Sequence, residues 1–379
     1  SRNFSAARAP RPASALRIGT VFACCRVICE DLAKIPLKLM LERDDGSKEP
    51  AKQHSLYRIL YRRPNEWQSS YEWRVTMLLH ALLKKGGYSF INRGSDGEIL
   101  ELIPLLPGNV RPFQDKARRV WYEVKGVDKP LAREQVHAIH GLSWDGVTGL
   151  EVVSYGAEAV GLAAAIEETQ SRMHGQGARP GGILTTSATL GEKQVENIKK
   201  QFAEGYSGVQ NAFKTLLLDN GLDFKPWTVN GVDGQHLETR RHQIEEICRF
   251  FRVFPSMIGY SDKATTYASA EAFFTAHVVH TLMPWVTNWE QAILRDLLTE
   301  DEVESGLAAK FQVQALLRGD AKSRGEFYSS GITNGWMSRN EARRLEDLNP
   351  LPGLDKMLTP MNMSDGSKPA DEDDDSDEE

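Results

Sequence analysis

A chain of 379 residues that is 41% hydrophobic can fill two or three domains around a sizeable core. Its formal net charge of −6 misleads, because residues 371–379 alone hold eight acidic residues; the rest sets 46 basic against 44 acidic residues, near +2. No run of about eighteen apolar residues is present for a membrane-spanning helix, and neither end has the apolar stretch of a secretion signal.

Residues 1–17 carry four arginines and no acid, and read as a disordered basic arm. Residues 19–35 then form an amphipathic helix stopped by Pro36, followed by a strand (36–43) and an Asp45–Gly46 turn. The cysteines Cys24, Cys25 and Cys29 lie on this first helix and Cys248 lies far away, with no Cys-x-x-Cys pair. They read as reduced side chains filling a helix face in a reducing compartment. A helix over 54–62 and a break at Pro64–Asn65 come next. The segment 69–86 is a helix with Ser69 or Ser70 as its N-cap and Gly86 just past its end. Strands are predicted at 87–93, 98–106, 110–114, 119–124 and 136–143, making residues 1–148 one α+β domain.

The pattern changes at Leu150. Residues 151–175 read as one long helix with small residues on several faces. A turn and strand (178–188), a helix (190–206) and a hairpin around Asn220–Gly221 form an inserted tip. Residues 237–251 return as a helix with Ile244, Ile247, Cys248 and Phe251 on one side. A polar loop spans 253–269, and a second helix runs from 271 to 298. Its stripe is Phe274, Val278, Leu282, Trp285, Trp289 and Ile293, with a kink expected at Pro284. A strand (310–317), two short helices (319–332 and 338–348) and a proline-rich stop follow, and 361–379 read as a disordered acidic tail.

Motifs of catalysis are absent from the sequence. There is no Gly-Lys dipeptide, hence no Walker A loop, and no HExxH, GxSxG or SxxK. His277 and His280 sit one turn apart and could share a metal only with a third ligand; His137 and His140 fall on opposite faces of a strand. The loop is the better candidate, through Ser261, Asp262, Lys263, Thr265, Thr266 and Tyr267. One lysine is a weak nucleic-acid signal in a monomer, but a ring of copies makes a circle of phosphate contacts that reads no bases. Arg240, Arg241, Lys193, Lys199 and Lys200 read first as solvated helix faces.

The order of segments resembles the portal (head-to-tail connector) proteins of long-tailed double-stranded DNA bacteriophages. The similar blocks are VFACCRVICEDLAKIPLKL (21–39), HSLYRIL…RPNEWQ (54–68), GGYSFINR (86–93), LIPLLPGNV (102–110) and HGLSWDGVTGLEVV (140–153). They continue with GARPGGIL (177–184), YSGVQNA (206–212), RFFRVFPSMIGYSDKATTYASAE (249–271) and GITNGWMSRNEARRLEDLNPLPGLD (331–355). Glu151 stands where the family commonly has serine, and Ser269 where it often has asparagine. The resemblance implies an α+β portal fold that assembles into a ring, typically of twelve. Its parts would be a wing (18–148 and 270–318), a stem (149–177 and 233–252), a clip (178–232), a tunnel loop (253–269) and a crown (319–360). It implies a non-enzymatic DNA channel in the virion, assembled in the host bacterial cytoplasm, with no cofactor or metal and no membrane. The loop residues would face DNA, and Lys193, Lys199 and Lys200 would face a partner on the clip. The implied partners are further copies of the chain, double-stranded DNA, the large terminase subunit, the major capsid protein and scaffold, and a head–tail adaptor. Two other readings stay open: a metal-dependent DNA-processing enzyme built on His277 and His280, and a monomeric adaptor with an acidic tail.

Overall fold

The computed structural model describes residues 15–165, 182–186, 191–197, 200, 222–226, 232–260, 267–313, 316, 321–346 and 348–358. Two compact units divide after Gln312.

In the first unit, helix α1 (Gly19–Ala33) buries Val21, Cys24, Cys25, Ile28, Cys29 and Leu32, the three-and-four spacing of one helix face. Strand β1 (Leu37–Glu42) alternates buried Leu37 and Leu39 with half-buried Lys38 and Met40. It turns through Gly46 (φ 79°) into β2 (Lys48–Pro50). Helix α2 (Ser55–Tyr61) is capped by His54, whose Nδ1 accepts from the Leu56 N–H. Helix α3 (Ser70–Leu83) opens on a capping box between Ser69 and Glu72, as the Ser-x-x-Glu spacing requires. Its end departs from expectation. The C-cap is Lys84 in extended conformation, and Gly86 does not terminate the helix in a left-handed turn. Gly86 and Gly87 instead allow close approach: a Cβ on Gly87 would lie 2.2 Å from the Met77 carbonyl oxygen of α3.

Strands β3 (Gly87–Arg93) and β4 (Ile99–Leu105) form a hairpin. Strands β5 (Val110–Gln114), β6 (Val120–Val124) and β7 (Leu131–Ala132) make a second antiparallel sheet, and β8 (Val136–Ile139) pairs with β3. The strand expected over 136–143 stops at Ile139, where Asn288 Nδ2 takes the His140 carbonyl at 2.6 Å. Tyr88, Val110, Tyr122, Val124, Val136 and Ala138 form one apolar cluster between the two sheets.

The helix expected over 151–175 is not continuous. It starts as α4 (Val152–Tyr155), leaves helical conformation at Gly156 (φ −84°, ψ 14°) and resumes over 157–165. Phe250 packs on that glycine, and a Cβ there would sit 3.2 Å from its ring. Residues 166–175 lie outside the described residues. In the inserted tip, β9 (Gly182–Thr186) pairs antiparallel with β10 (Leu222–Pro226), and 192–197 are helical. The partner strand expected across Asn220–Gly221 lies outside the described residues.

Helix α5 (Val232–Phe251) leads to a 3-10 turn (Pro255–Ile258); α6 (Tyr267–His277), a π turn (Val278–Leu282) and α7 (Met283–Leu297) follow. The irregularity expected at Pro284 thus takes the form of a π turn just before it. Proline offers no N–H to the His280 carbonyl and crowds it; the wider turn, closed by Met283 N–H to Val278 O, relieves both faults. Of the expected stripe, Val278, Leu282, Trp289 and Ile293 are buried, while Phe274 and Trp285 are half-buried. Trp289 meets Trp73 of α3 edge-on with centroids 5.2 Å apart. Helix α8 (Glu300–Glu304) leads into β11 (Leu307–Phe311), which pairs with β1 from Leu37↔Phe311 to Leu41↔Leu307. The closing strand therefore sits three residues upstream of the expected 310–317.

The second unit holds α9 (Ala321–Thr333) and α10 (Arg339–Leu345), the latter opened by a Ser338–Glu341 capping box. Fully buried Asn340 fastens the proline-rich stop: its Nδ2 donates to Leu351 O at 2.8 Å and its Oδ1 accepts from Leu351 N at 2.9 Å.

Candidate functional site

The polar loop after α5 is held by its two ends. At the first, α5 stops at Phe251, and Arg252 takes a left-handed conformation (φ 56°) where glycine is usual. Val253 N–H returns to Cys248 O at 3.0 Å and Arg252 N–H to Arg249 O at 3.2 Å, the paired bonds of a Schellman stop. The Thr281 hydroxyl, from the π turn, donates to the Arg252 carbonyl. Pro255 then starts the 3-10 turn, and Gly259 ends it at φ 78° with Tyr260 N–H bonded to Pro255 O at 3.1 Å.

At the second end, α6 begins at Tyr267, so the loop is shorter than the 253–269 read from sequence. Tyr267 and Ser269 belong to helix backbone. Phe254 before the loop and Phe273 after it meet at a tilt of 52° with centroids 5.4 Å apart, which brings its two ends together. Ser261, Asp262, Lys263, Thr265 and Thr266 lie outside the described residues, as does the Tyr267 side chain.

Both flanking helices rest on α1. The Cys24 and Cys248 thiols meet at 3.8 Å between α1 and α5, and all four cysteines are free and buried. The Cys248 hydrogen bond and burial push the Cys24 thiol up, and burial pushes Cys25 up to about 12. On the other side, His277 Nε2 lies 3.1 Å from Asp31 Oδ2. Burial pulls the Asp31 carboxyl up, but hydrogen bonds from His277 and Lys34 outweigh it and hold the group below its ordinary value.

That contact separates the two histidines considered as a metal pair. His277 is buried and engaged with Asp31, whereas His280 is exposed. Among the described residues no group of three or more His, Cys, Asp or Glu could hold a metal ion. His137 and His140 also part: His137 Nδ1 is 3.2 Å from Asp296 Oδ2, and His140 Nδ1 faces the Gly141 carbonyl.

Asp296, which sequence reading passed over, anchors α7 to β8. Its carboxylate, 1% exposed, accepts from Arg295 Nε at 2.7 Å, Arg295 Nη2 at 2.8 Å and the Ala138 N–H at 3.1 Å. Burial disfavours its charge, but Arg295 and His137 reverse that and lower it to about 2. No sequence signal marks it, since an Arg-Asp pair at a helix end is ordinary. Nor does the chain pattern reveal the Asp31–His277 contact, 246 residues apart. On the inserted tip, Lys193 and Lys200 are exposed, and Lys199 lies outside the described residues.

Comparison with known proteins gives one consistent relationship. Residues 19–347 match the family model described as phage portal protein. The portal protein of Enterobacteria phage HK97 is 28% identical over 344 residues, covering 90% of this chain and 81% of that protein. The crystal structure of an HK97 family phage portal protein from Corynebacterium diphtheriae superposes with a TM-score of 0.59 at 16% identity, over 82% of this chain and 97% of that one. A chain from the neck of a native gene transfer agent particle, computed with C12 symmetry, gives a TM-score of 0.57 at 22% identity over 92% and 97%.

Proposed function

The chain belongs to the phage portal protein family, and from that membership we propose that it forms a ring at one capsid vertex through which double-stranded DNA enters and leaves. Twelve copies is the number we adopt, supported by the C12 symmetry of the neck that contains a similar chain. Residues 18–148 and 270–318 form the wing, 149–177 and 233–252 the stem, 178–232 the clip and 319–360 the crown. The ring sits in the virion after assembly in the host cytoplasm, and binds major capsid protein, scaffold and a head–tail adaptor.

The observation that carries the channel reading is the loop after α5. Its two ends are gripped by Phe254 and Phe273, and both flanking helices rest on α1. A loop whose two ends are brought together on α1 is suited to lining a passage. Ser261, Asp262, Lys263, Thr265, Thr266 and Tyr267 touch phosphates there, without reading bases. A body near +2 suits sliding, because each added phosphate contact strengthens counterion-release binding and would hold the duplex in place. The protein itself hydrolyses no nucleotide. The large terminase subunit supplies that energy and docks on the clip through Lys193, Lys199 and Lys200.

The test pairs particle mass with packaging. Native mass spectrometry and negative-stain imaging of the wild type are expected to show a ring with a central hole. Lys263→Ala in an in vitro packaging assay is expected to change the translocation rate without preventing ring formation. Wild-type packaging by that variant would remove Lys263 from the channel contact, and a chain that stays monomeric at high concentration with scaffold present would remove the ring.

A further inference from the structure

Two features of the first unit stand out, an exposed turn and a recess. The turn after β8 presents Trp144 at 94% exposure and Leu142 at 83%, the two most exposed large apolar side chains among the described residues. This turn is built to hold its shape. Asp145 Oδ1 accepts from the Ser143 hydroxyl at 3.0 Å, Val147 N–H at 2.8 Å and Thr148 N–H at 2.6 Å. The Ser143 hydroxyl also reaches Thr148 O at 2.7 Å, Leu150 N–H closes on Leu142 O at 2.7 Å, and Gly149 N–H is tied to Lys85 O at 2.9 Å. A pre-ordered turn loses little backbone entropy on docking, so an exposed tryptophan carried on it is an efficient anchor. Its indole N–H has no partner among the described residues.

The second is a cavity of about 220 Å³ where α1, residues 157–165 and α5 come together, lined by Ile18, Gly19, Thr20, Ala163, Gln243, Ile244 and Ile247. Gly19 and Ala163 leave it room. Gln243 is only 8% exposed, and its Oε1 is buried with no hydrogen-bond partner. A buried acceptor left unpaired is costly, and such an atom in a mostly apolar slot favours a ligand that brings a donor to it. Arg240 also lines this cavity.

We propose that Trp144 of one copy of this chain enters the Gln243 pocket of the next, with its indole N–H donating to Gln243 Oε1. An indole offers a flat apolar body of roughly 200 Å² and a single donor for the unpaired Oε1. A projection and a recess on different patches of one unit describe a head-to-tail contact, the kind that closes into a ring. The inference rests on the ring proposed above and names the side chains that join its subunits.

The experiment uses the full chain. Trp144→Ala is expected to weaken association by at least about 30-fold, the level of an interface hot spot. Gln243→Leu, which keeps the shape and removes the acceptor, is expected to weaken it less. Ala163→Phe fills the slot and is expected to block assembly. Mixed one to one, Trp144→Ala and Ala163→Phe retain one good projection and one good recess between them, so native mass spectrometry should show heterodimers that grow no further. A photo-crosslinker at position 144 is expected to capture residues 240–247 of a neighbouring copy. Rings of Trp144→Ala with wild-type affinity would overturn the contact and leave the ring reading standing. Crosslinks from position 244 to residues 1–14 would overturn it too, by giving the slot to the chain's own arm. A wild type that forms no ring under any condition would overturn the ring reading itself, and this contact with it.

Discussion

Replacing Asp296 with asparagine removes one charge from the junction of α7 and β8 and keeps the shape. The carboxylate is 1% exposed and accepts from Arg295, Arg133, His137 and the Ala138 backbone. Its pKa falls from 3.8 to about 2 in the folded chain, which corresponds to about 2.5 kcal/mol of stability. The amide presents an NH2 group where donors already converge, so the full penalty is larger, about 3–4 kcal/mol at pH 7. The Arg133 and Arg295 side chains are 38% and 41% exposed, and water limits the cost of leaving them unpaired. A depressed carboxyl stabilises above its unfolded pKa and loses that contribution as pH falls through the folded value. The charge part of the wild-type advantage, about 2.5 kcal/mol, should therefore be complete above about pH 5, roughly halved near pH 3 and gone only by about pH 1, while the part due to the misplaced amide remains. Urea unfolding of the dilute chain at pH 7 and pH 3, followed by tryptophan fluorescence from the Trp73–Trp289 core, measures both terms. A loss below about 1 kcal/mol at pH 7, or a penalty unchanged at pH 3, would refute the reasoning.

Other perturbations separate packing from loop control. Gly87→Ala should cost about 3 kcal/mol or prevent folding, because its Cβ meets the backbone oxygen of Met77 at 2.2 Å. Gly97→Ala, in open space at φ 86°, should cost only about 1 kcal/mol; comparing the two melting temperatures checks the difference. Thr281→Val removes the hydroxyl that donates to the Arg252 carbonyl and should lower stability by about 1 kcal/mol in a denaturant titration. Phe273→Ala removes the tilted contact with Phe254, and hydrogen exchange should quicken at Val253–Tyr260 and in α6 while global stability falls by less than about 2 kcal/mol. Equal exchange in wild type and variant would show that the aromatic pair does not hold the loop.

What could be read along the chain was local. The face of α1, the capping boxes at Ser69–Glu72 and Ser338–Glu341, the β3–β4 hairpin and the irregularity near Pro284 all depend on residues a few positions apart. Spacing and turn chemistry therefore sufficed for the α1 face, an N-cap at Ser69 or Ser70, the strands of the hairpin and the Pro284 irregularity, and the order of segments sufficed for the family. The two capping boxes were written in the same local spacing but not called. Where local signals competed, the reading slipped. Gly86 looked like a helix stop but serves close packing beside Gly87, and Gly156 looked like one small residue among many but interrupts the helix under Phe250. Arg252 carries no mark of a left-handed stop; the Thr281 bond and the return of Val253 to Cys248 hold it there. Contacts across hundreds of residues were invisible for a plain reason: β1 with β11, Asp31 with His277, Cys24 with Cys248 and His137 with Asp296 each join segments whose own patterns are satisfied by many partners. Periodicity says which face of an element is buried, and only the packed chain decides what that face is buried against.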